Sequence, residues 1–407
     1  MLRSMFTAIS SLSLHQTFMD VVADNLANVN TPGFKSSSVT FQDQFAQLIS
    51  AGAAPTAELG GINPVQIGLG ARLGTISTAF TQGTMQFTGK ETDLAIQGGG
   101  FFIYEDGNVR CYSREGSLTM DSEGYLVNAG TGMRIMGWQA ISTSGSAAAI
   151  DTGRPIGAIQ IPVDSIIARA TQNVIMGGNL DATSPTGASG AIDVTFGAYD
   201  SLGVLHTISI EFTKTSDNSW DWTATSGASG NGTLSFDNDG QYLAGGGTVT
   251  IPASGGAAAT VIDLDMSSVS QLAMASNVAS VSQDGVAAGS LNGFSVISST
   301  GEIYGTYTNG LQRLLGQVAL ASFVNPAGLI RSEGNLFLAG LNSGDPEIGT
   351  AGTSGRGTLS SGYLEASNVD LGREFTNMIL AQRGFQASSR IISASDEMLQ
   401  ELVNIAR

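Results

Sequence analysis

The 407-residue chain is long enough for two or three domains, each with its own core. Seventeen basic residues against 34 acidic ones give a formal charge of −17, which repels phosphate backbones and anionic lipid heads and argues against nucleic acid as a partner. No run reaches the roughly 18 to 20 consecutive apolar residues of a bilayer span, so membrane insertion is not expected, and the single cysteine, Cys111, excludes an internal disulfide.

The first element is a helix. Leu2, Met5, Ile9, Leu12, Gln16, Met19, Ala23 and Leu26 recur at alternating steps of three and four, the spacing of a heptad seam. It stops at Asn30-Thr31-Pro32-Gly33, because Pro32 biases Thr31 away from helical geometry and Gly33 accepts a left-handed turn. This segment lacks the uninterrupted apolar core and small-residue cleavage site of a secretory signal peptide, so export, if it occurs, is expected by another route.

After the helix the pattern changes to short strands. Glycine supplies 54 residues and charged residues only 13%, a turn-rich composition. Alternating segments such as Ile192 to Phe196 and His206 to Phe212 read as strands. Asp106-Gly107, Asn231-Gly232, Asp239-Gly240, Asp284-Gly285, Asn292-Gly293 and Asn309-Gly310 read as hairpin turns. Residues 141–282 carry three basic residues against twelve acidic ones, with Gly- and Ala-rich stretches, and read as a separate acidic domain.

The last element mirrors the first. Leu371, Phe375, Met378, Gln382, Phe385, Ser389, Ile392, Asp396, Leu399, Val403 and Ala406 keep the same alternation, with Asp370 and Glu374 at the start and Arg407 at the end, as the helix dipole favours. The expected fold is therefore mainly β with long α-helical termini, a nested multi-domain chain. Residues 1–30 and 368–407 form a terminal coiled-coil domain, 31–75 and 355–367 a connecting segment, 76–140 and 283–354 a first β domain, and 141–282 an inserted outer β domain.

No catalytic, cofactor or metal site emerges. His15 falls in a helix and His206 in a strand, with no nucleophile placed beside either by sequence. Cys111 lies in a strand-like run and reads as a structural thiol. Gly89-Lys90-Glu91 lacks the hydroxyl of a phosphate loop, and Gly98-Gly99-Gly100 lacks its lysine. In the acidic turn Phe236 to Gln241 the glycine is at loop position four and Thr248, not glutamate, at position twelve, so a hairpin turn is preferred over a calcium loop. Asp263 and Asp265 share a strand face, where solvation is commoner than acid–base work. Trp220 and Trp222 fit either a sugar-stacking platform or, more commonly, cross-strand packing.

Two strings near the ends carry a resemblance. Asp24-Asn25-Leu26-Ala27-Asn28-Val29-Asn30-Thr31-Pro32-Gly33-Phe34-Lys35 resembles the N-terminal signature of the flagellar rod and hook family of bacterial axial proteins. Leu364-Glu365-Ala366-Ser367-Asn368-Val369-Asp370-Leu371, followed by Glu374-Phe375 and Gln382-Arg383-Gly384-Phe385-Gln386, resembles its C-terminal pattern. Between them, Thr92 to Phe102 and Ser113-Arg114-Glu115-Gly116-Ser117 are similar to the family's first β domain, and the region near 141–282 is similar to the insertion of its hook members. Ser388 departs from the pattern, which often carries Asn there.

The resemblance implies a non-enzymatic structural subunit without cofactors. Such a subunit stacks helically with copies of itself into the short curved tube that passes torque from the basal-body rod to the filament; a distal rod subunit is the alternative. It also implies export by the flagellar type III apparatus and an extracellular place in the flagellum, against the distal rod protein, the hook cap and the hook–filament junction proteins. The terminal seams are the expected assembly surfaces. Asn25, Asn28, Thr31, Pro32, Gly33, Phe34, Ser367, Asn368, Val369, Asp370, Gln382 and Arg383 are the expected motif residues. A carbohydrate-binding module, resting on the tryptophan pair, and a hydrolase are the competing classes.

Overall fold

The computed structural model describes residues 2–55, 59–107, 109–141 and 148–405; Ala406 and Arg407 lie outside the described residues, as do the side chains of Leu2 and Leu402. The termini form two long helices, α1 (Leu2–Ala27) and α2 (Leu371–Ile405), and strands dominate the chain between them. α1 ends three residues before the predicted stop, with 28–30 already a turn. α2 is started by Asp370, whose carboxylate accepts the backbone N–H groups of Gly372 (2.9 Å) and Arg373 (3.2 Å). That is the N-cap chemistry a free helix start requires. Among the described residues no helix is long and apolar enough to cross a membrane.

The chain divides into two compact units. The first comprises 1–161, 295–303 and 314–407, so both ends of the chain belong to it. Late strands pair antiparallel with early ones there: Thr358–Ser361 with Leu94–Gln97, and Tyr363–Glu365 with Met85–Phe87. Its core gathers Phe101, Ile103, Tyr112, Met136, Trp138, Phe323 and Phe337, with Phe80 packed edge-on against Phe101 and Phe337. Two narrow ribbons extend from this unit, Ser37–Asp43 with Ala71–Thr78 and Ala46–Ser50 with Val65–Gly68. Leu48, Ile49, Val65 and Ile67 on the second ribbon, and Phe45 just before it, are all exposed.

The second unit comprises 162–294 and 304–313. Residues 157–161, which the sequence reading places in the outer domain, are held in the first unit: the Ile159 N–H donates to the Ile135 carbonyl, the Ile161 N–H to that of Gly124, and both side chains are buried. Most of the second unit, residues 173–283, forms an eight-stranded sheet in the order 192–199, 205–216, 219–226, 231–236, 242–251, 260–272, 173–181, 279–283. Neighbours are antiparallel except Asn173–Asp181, which runs parallel to Thr260–Leu272. Alternate residues of most of these strands point into one core, where Trp220 and Trp222 are fully buried among Phe212, Ile210, Leu234 and Ile262.

The tryptophans are packing residues, which removes the sugar platform. Their burial also explains a misread turn. Asn231-Gly232 lies inside the strand Asn231–Phe236, because a Cβ at Gly232 would sit 2.7 Å from the Trp222 indole nitrogen. Glycine there makes room for a ring rather than reversing the chain. Asn292-Gly293 likewise lies within Val286–Val296. The turns at Asp106-Gly107 and Asp239-Gly240 form hairpins, the second closed by the Asp237 carboxylate accepting the N–H groups of Asp239 and Gln241. That arrangement uses the carboxylate as a turn cap, not a calcium ligand.

Candidate assembly site

The two terminal helices pack against each other, but not through the predicted seams. On α1 the buried residues are Ala8, Val22 and Asn25; on α2 they are Glu374, Ala381, Ser388 and Ser395, spaced by seven. The α2 line runs one residue ahead of the predicted Phe375, Gln382, Ser389 and Asp396, all of which are exposed. The cause is size. Small residues let the helices approach closely: the Ser388 hydroxyl donates to that of Ser11 at 2.9 Å, and the His15 ring lies on Gly384, where a Cβ would be 2.4 Å from two ring atoms. An asparagine at 388 would not fit a position that is 5% exposed and in hydroxyl contact.

The larger apolar residues are consequently left beside or outside the pairing line. Met5, Leu12, Met19 and Leu26 on α1, and Met378, Phe385, Ile392 and Leu399 on α2, are half-buried at its margins. Ile9 is 47% exposed, Leu371 44%, Phe375 51% and Val403 65%. Phe6, Ile379, Leu380, Ile391 and Met398 are exposed as well. Both helices therefore carry broad uncovered apolar surface.

Where the helices meet the β body, the N- and C-terminal motifs interlock. The Asn25 carboxamide clasps Ser37 in both directions, donating to its carbonyl and accepting its N–H at 2.8 Å each. Asn368 accepts the Ser36 N–H at 2.8 Å and donates to the Ala79 carbonyl at 2.7 Å, tying the chain after α1 to the residues before α2. Asn28 donates to the Asp24 carbonyl and accepts from the Thr31 hydroxyl, which holds the helix end. The Pro32 carbonyl accepts from Asn335, and the Gly33 N–H donates to the Glu365 carbonyl at 2.7 Å. Gly33 has φ +71°, and a Cβ there would meet the Glu115 backbone nitrogen at 2.6 Å, so no other residue fits. Phe34 is buried beneath the Arg331 guanidinium, which also bonds Asp24 at 3.0 Å.

At the centre lies a buried ionic cluster. The Lys35 ammonium meets the Glu365 carboxylate at 2.6 Å with both side chains fully buried, and donates to the Thr81 carbonyl at 2.8 Å. Arg114 reaches the other Glu365 oxygen at 3.4 Å and the Gly98 carbonyl at 2.8 Å. The Gly83 N–H completes the shell of Glu365 at 2.8 Å. Burial pushes the Lys35 and Arg114 pKa values down, and the Glu365 charge pulls both back up. Removing one partner from such a cluster is far more damaging than never having built it.

Sequence reasoning did not single out Lys35, Arg114 or Glu365 as site residues. The available signal was two ionisable residues, Lys35 and Glu365, each between apolar or small neighbours, and Arg114 between Ser113 and Glu115, in a chain only 13% charged. Conversely, Gln382 and Arg383 lie exposed on α2, away from the clamp. Val369 is half-buried, its N–H donating to the Ser367 hydroxyl at 3.4 Å. Among the described residues no group of three or more His, Cys, Asp or Glu side chains is placed to hold a metal ion.

Four family models match along the chain. Residues 5–35 match the flagella basal body rod protein, 95–176 the flagellar hook protein FlgE/F/G D1 domain, 168–286 the flagellar basal body protein FlaE D2 domain, and 360–405 the flagellar basal body rod FlgEFG protein C-terminal region. The flagellar hook protein FlgE of Borreliella burgdorferi is 39% identical over the full length of both chains. That of Salmonella typhimurium is 35% identical over 98% of each. The flagellar basal-body rod protein FlgG of Bacillus subtilis is 30% identical over the full length of both. With the interlocked terminal motifs, the paired end helices and relatives of this similarity along its whole length, the chain belongs to the flagellar hook protein family.

Proposed function

We propose that this chain is the repeating subunit of the flagellar hook, polymerising helically with copies of itself into the curved tube that couples the basal-body rod to the filament. The observation that carries this reading is the uncovered apolar surface on α1 and α2, in a chain whose relatives are hook proteins. A lone subunit leaves Phe6, Ile9, Phe375, Ile379 and Leu380 in water, and side-by-side packing of helices from further copies removes them from it. The exposed ribbon of residues 46–68 adds to the same demand, since a two-stranded ribbon is marginal alone in water.

In this reading the small-residue seam holds α1 to α2 within one subunit, the motif clamp fixes the pair to the β body, and the large apolar residues serve neighbouring subunits. Torque then passes from helices to β body through the Lys35–Glu365–Arg114 cluster and the Asn25 and Asn368 clasps. The distal rod protein is the partner at one end of the tube and the hook cap, then the junction proteins, at the other. The type III export apparatus delivers the chain, and the chain performs no catalysis.

The test is electron microscopy of full-length protein under polymerising conditions. Curved tubes are expected, with Ile9→Asp or Phe375→Asp abolishing them while the monomer keeps its helical content, because each places a charge in the subunit interface. Normal tubes from both variants refute the helix-interface account. Straight tubes from the parent protein favour a rod subunit, the second reading, which the resemblance to the Bacillus subtilis rod protein supports.

A further inference from the structure

Glu374 is the one carboxylate among the described residues with a buried oxygen that lacks a hydrogen-bond partner. The residue is 8% exposed, at the first buried position of the α2 seam. Beside it opens a cavity of about 300 Å³, lined by Phe18 and Val22 of α1, the Ser36 and Ser38 segment, and Arg373 and Asn377 of α2. Glu365, by contrast, has two cations, and Asp200 has His206 and two backbone N–H groups. Glu374 is part of that cavity's wall, and a buried carboxylate oxygen without a donor is stabilised by a cationic one brought beside it.

We propose that this cavity receives an arginine guanidinium from α2 of a second copy of the chain, making Glu374 the ionic anchor of the subunit interface. This rests on the hook reading above. Three observations favour a second copy over a free ion or a foreign protein. Arg383 and Arg390 stand exposed on α2 and make no ion pair among the described residues. Phe375 and Ile379, uncovered apolar residues of the same helix, lie within five residues of Glu374, so a helix docking on them arrives beside the cavity. The chain is acidic overall, so copies repel unless such pairs offset the charge where they meet. A guanidinium offers a planar set of donors, enough for the orphaned oxygen and the serine hydroxyls together.

The experiment uses full-length protein and measures the critical concentration for polymerisation at low and high salt. Glu374→Gln, which keeps the shape and removes the charge, is expected to raise the critical concentration at least tenfold at low salt and to flatten its dependence on salt, with unchanged circular dichroism of the monomer. Glu374→Arg is expected to abolish tubes, and combining it with Arg383→Glu or Arg390→Glu to restore them. Wild-type polymerisation by Glu374→Gln overturns the proposal, as does failure of both reversals to rescue Glu374→Arg, which assigns the anchor to another group or to Arg373 of the same chain. A parent chain that never polymerises counts against the hook reading itself, so the two failures are distinguishable.

Discussion

Glu365→Gln isolates the energetics of the clamp. The substitution keeps size and shape but leaves Lys35, fully buried, and Arg114, 4% exposed at its side chain, without a counter-charge. Breaking a buried ionic cluster from one side costs about 3–5 kcal/mol. At roughly 2–4 °C per kcal/mol for a unit of this size, the unfolding transition of the first unit falls by on the order of 10 °C in scanning calorimetry. The pH dependence sharpens the test. Burial already lowers the Lys35 pKa against the pull of Glu365, and the variant loses that pull. Between the lowered folded value and the ordinary one of about 10.4 the unfolded chain binds more protons, so the variant regains stability as pH rises through that window. Replacing all three residues by apolar ones (Lys35→Met, Arg114→Met, Glu365→Leu) is expected to be milder than the single change, since no charge is stranded. A drop below about 2 °C for Glu365→Gln, or a single variant milder than the triple, refutes the argument.

Gly384→Ala adds helix propensity worth about 1 kcal/mol, yet its methyl group overlaps His15, so a net loss of about 1–2 kcal/mol is expected in the thermal unfolding of the helix pair. Gain of stability would mean that the ring moves aside freely. Trp220→Ala should cost the outer unit about 3–5 kcal/mol in denaturant unfolding, and glycan arrays should show no binding by the parent, because neither Trp220 nor Trp222 is exposed. Burial raises the Asp200 carboxyl pKa, but bonds from His206, Val204 and Leu202 outweigh it and hold it below the ordinary value. At Asp284 burial again opposes, and bonds from Asn173 and Gln172 prevail. Lowered carboxylates give stability that is present above the ordinary value of about 3.9 and lost as pH falls through the folded one, so the outer unit should unfold more easily in acid. Asp200→Asn and Asp284→Asn together should flatten that slope, and an unchanged slope would assign acid sensitivity elsewhere.

Much of the fold was legible from local pattern. The three-four periodicity at both ends, the Thr31-Pro32-Gly33 stop and the Asp370 start are statements about backbone geometry, and a sequence carries those directly. So are the turns at Asp106-Gly107, Asp239-Gly240 and Asn309-Gly310. The motif strings carried the family, because twelve consecutive residues in the right place are hard to match by chance. Period without phase was the limit on the helices: a wide apolar stripe does not say which line of it faces its own partner. Only the tertiary structure decided that small residues, Ser11, Gly384 and Ser388, make the contact between the helices and leave most of the large apolar ones outside. The same holds for Gly232, a turn signal by type and a space for Trp222 in fact. It holds most for Lys35, Arg114 and Glu365, whose meeting joins positions 330 and 251 residues apart. Sequence alone fixes local conformation because neighbours along the chain set it; which distant charges share one dry pocket is set only when the whole chain closes.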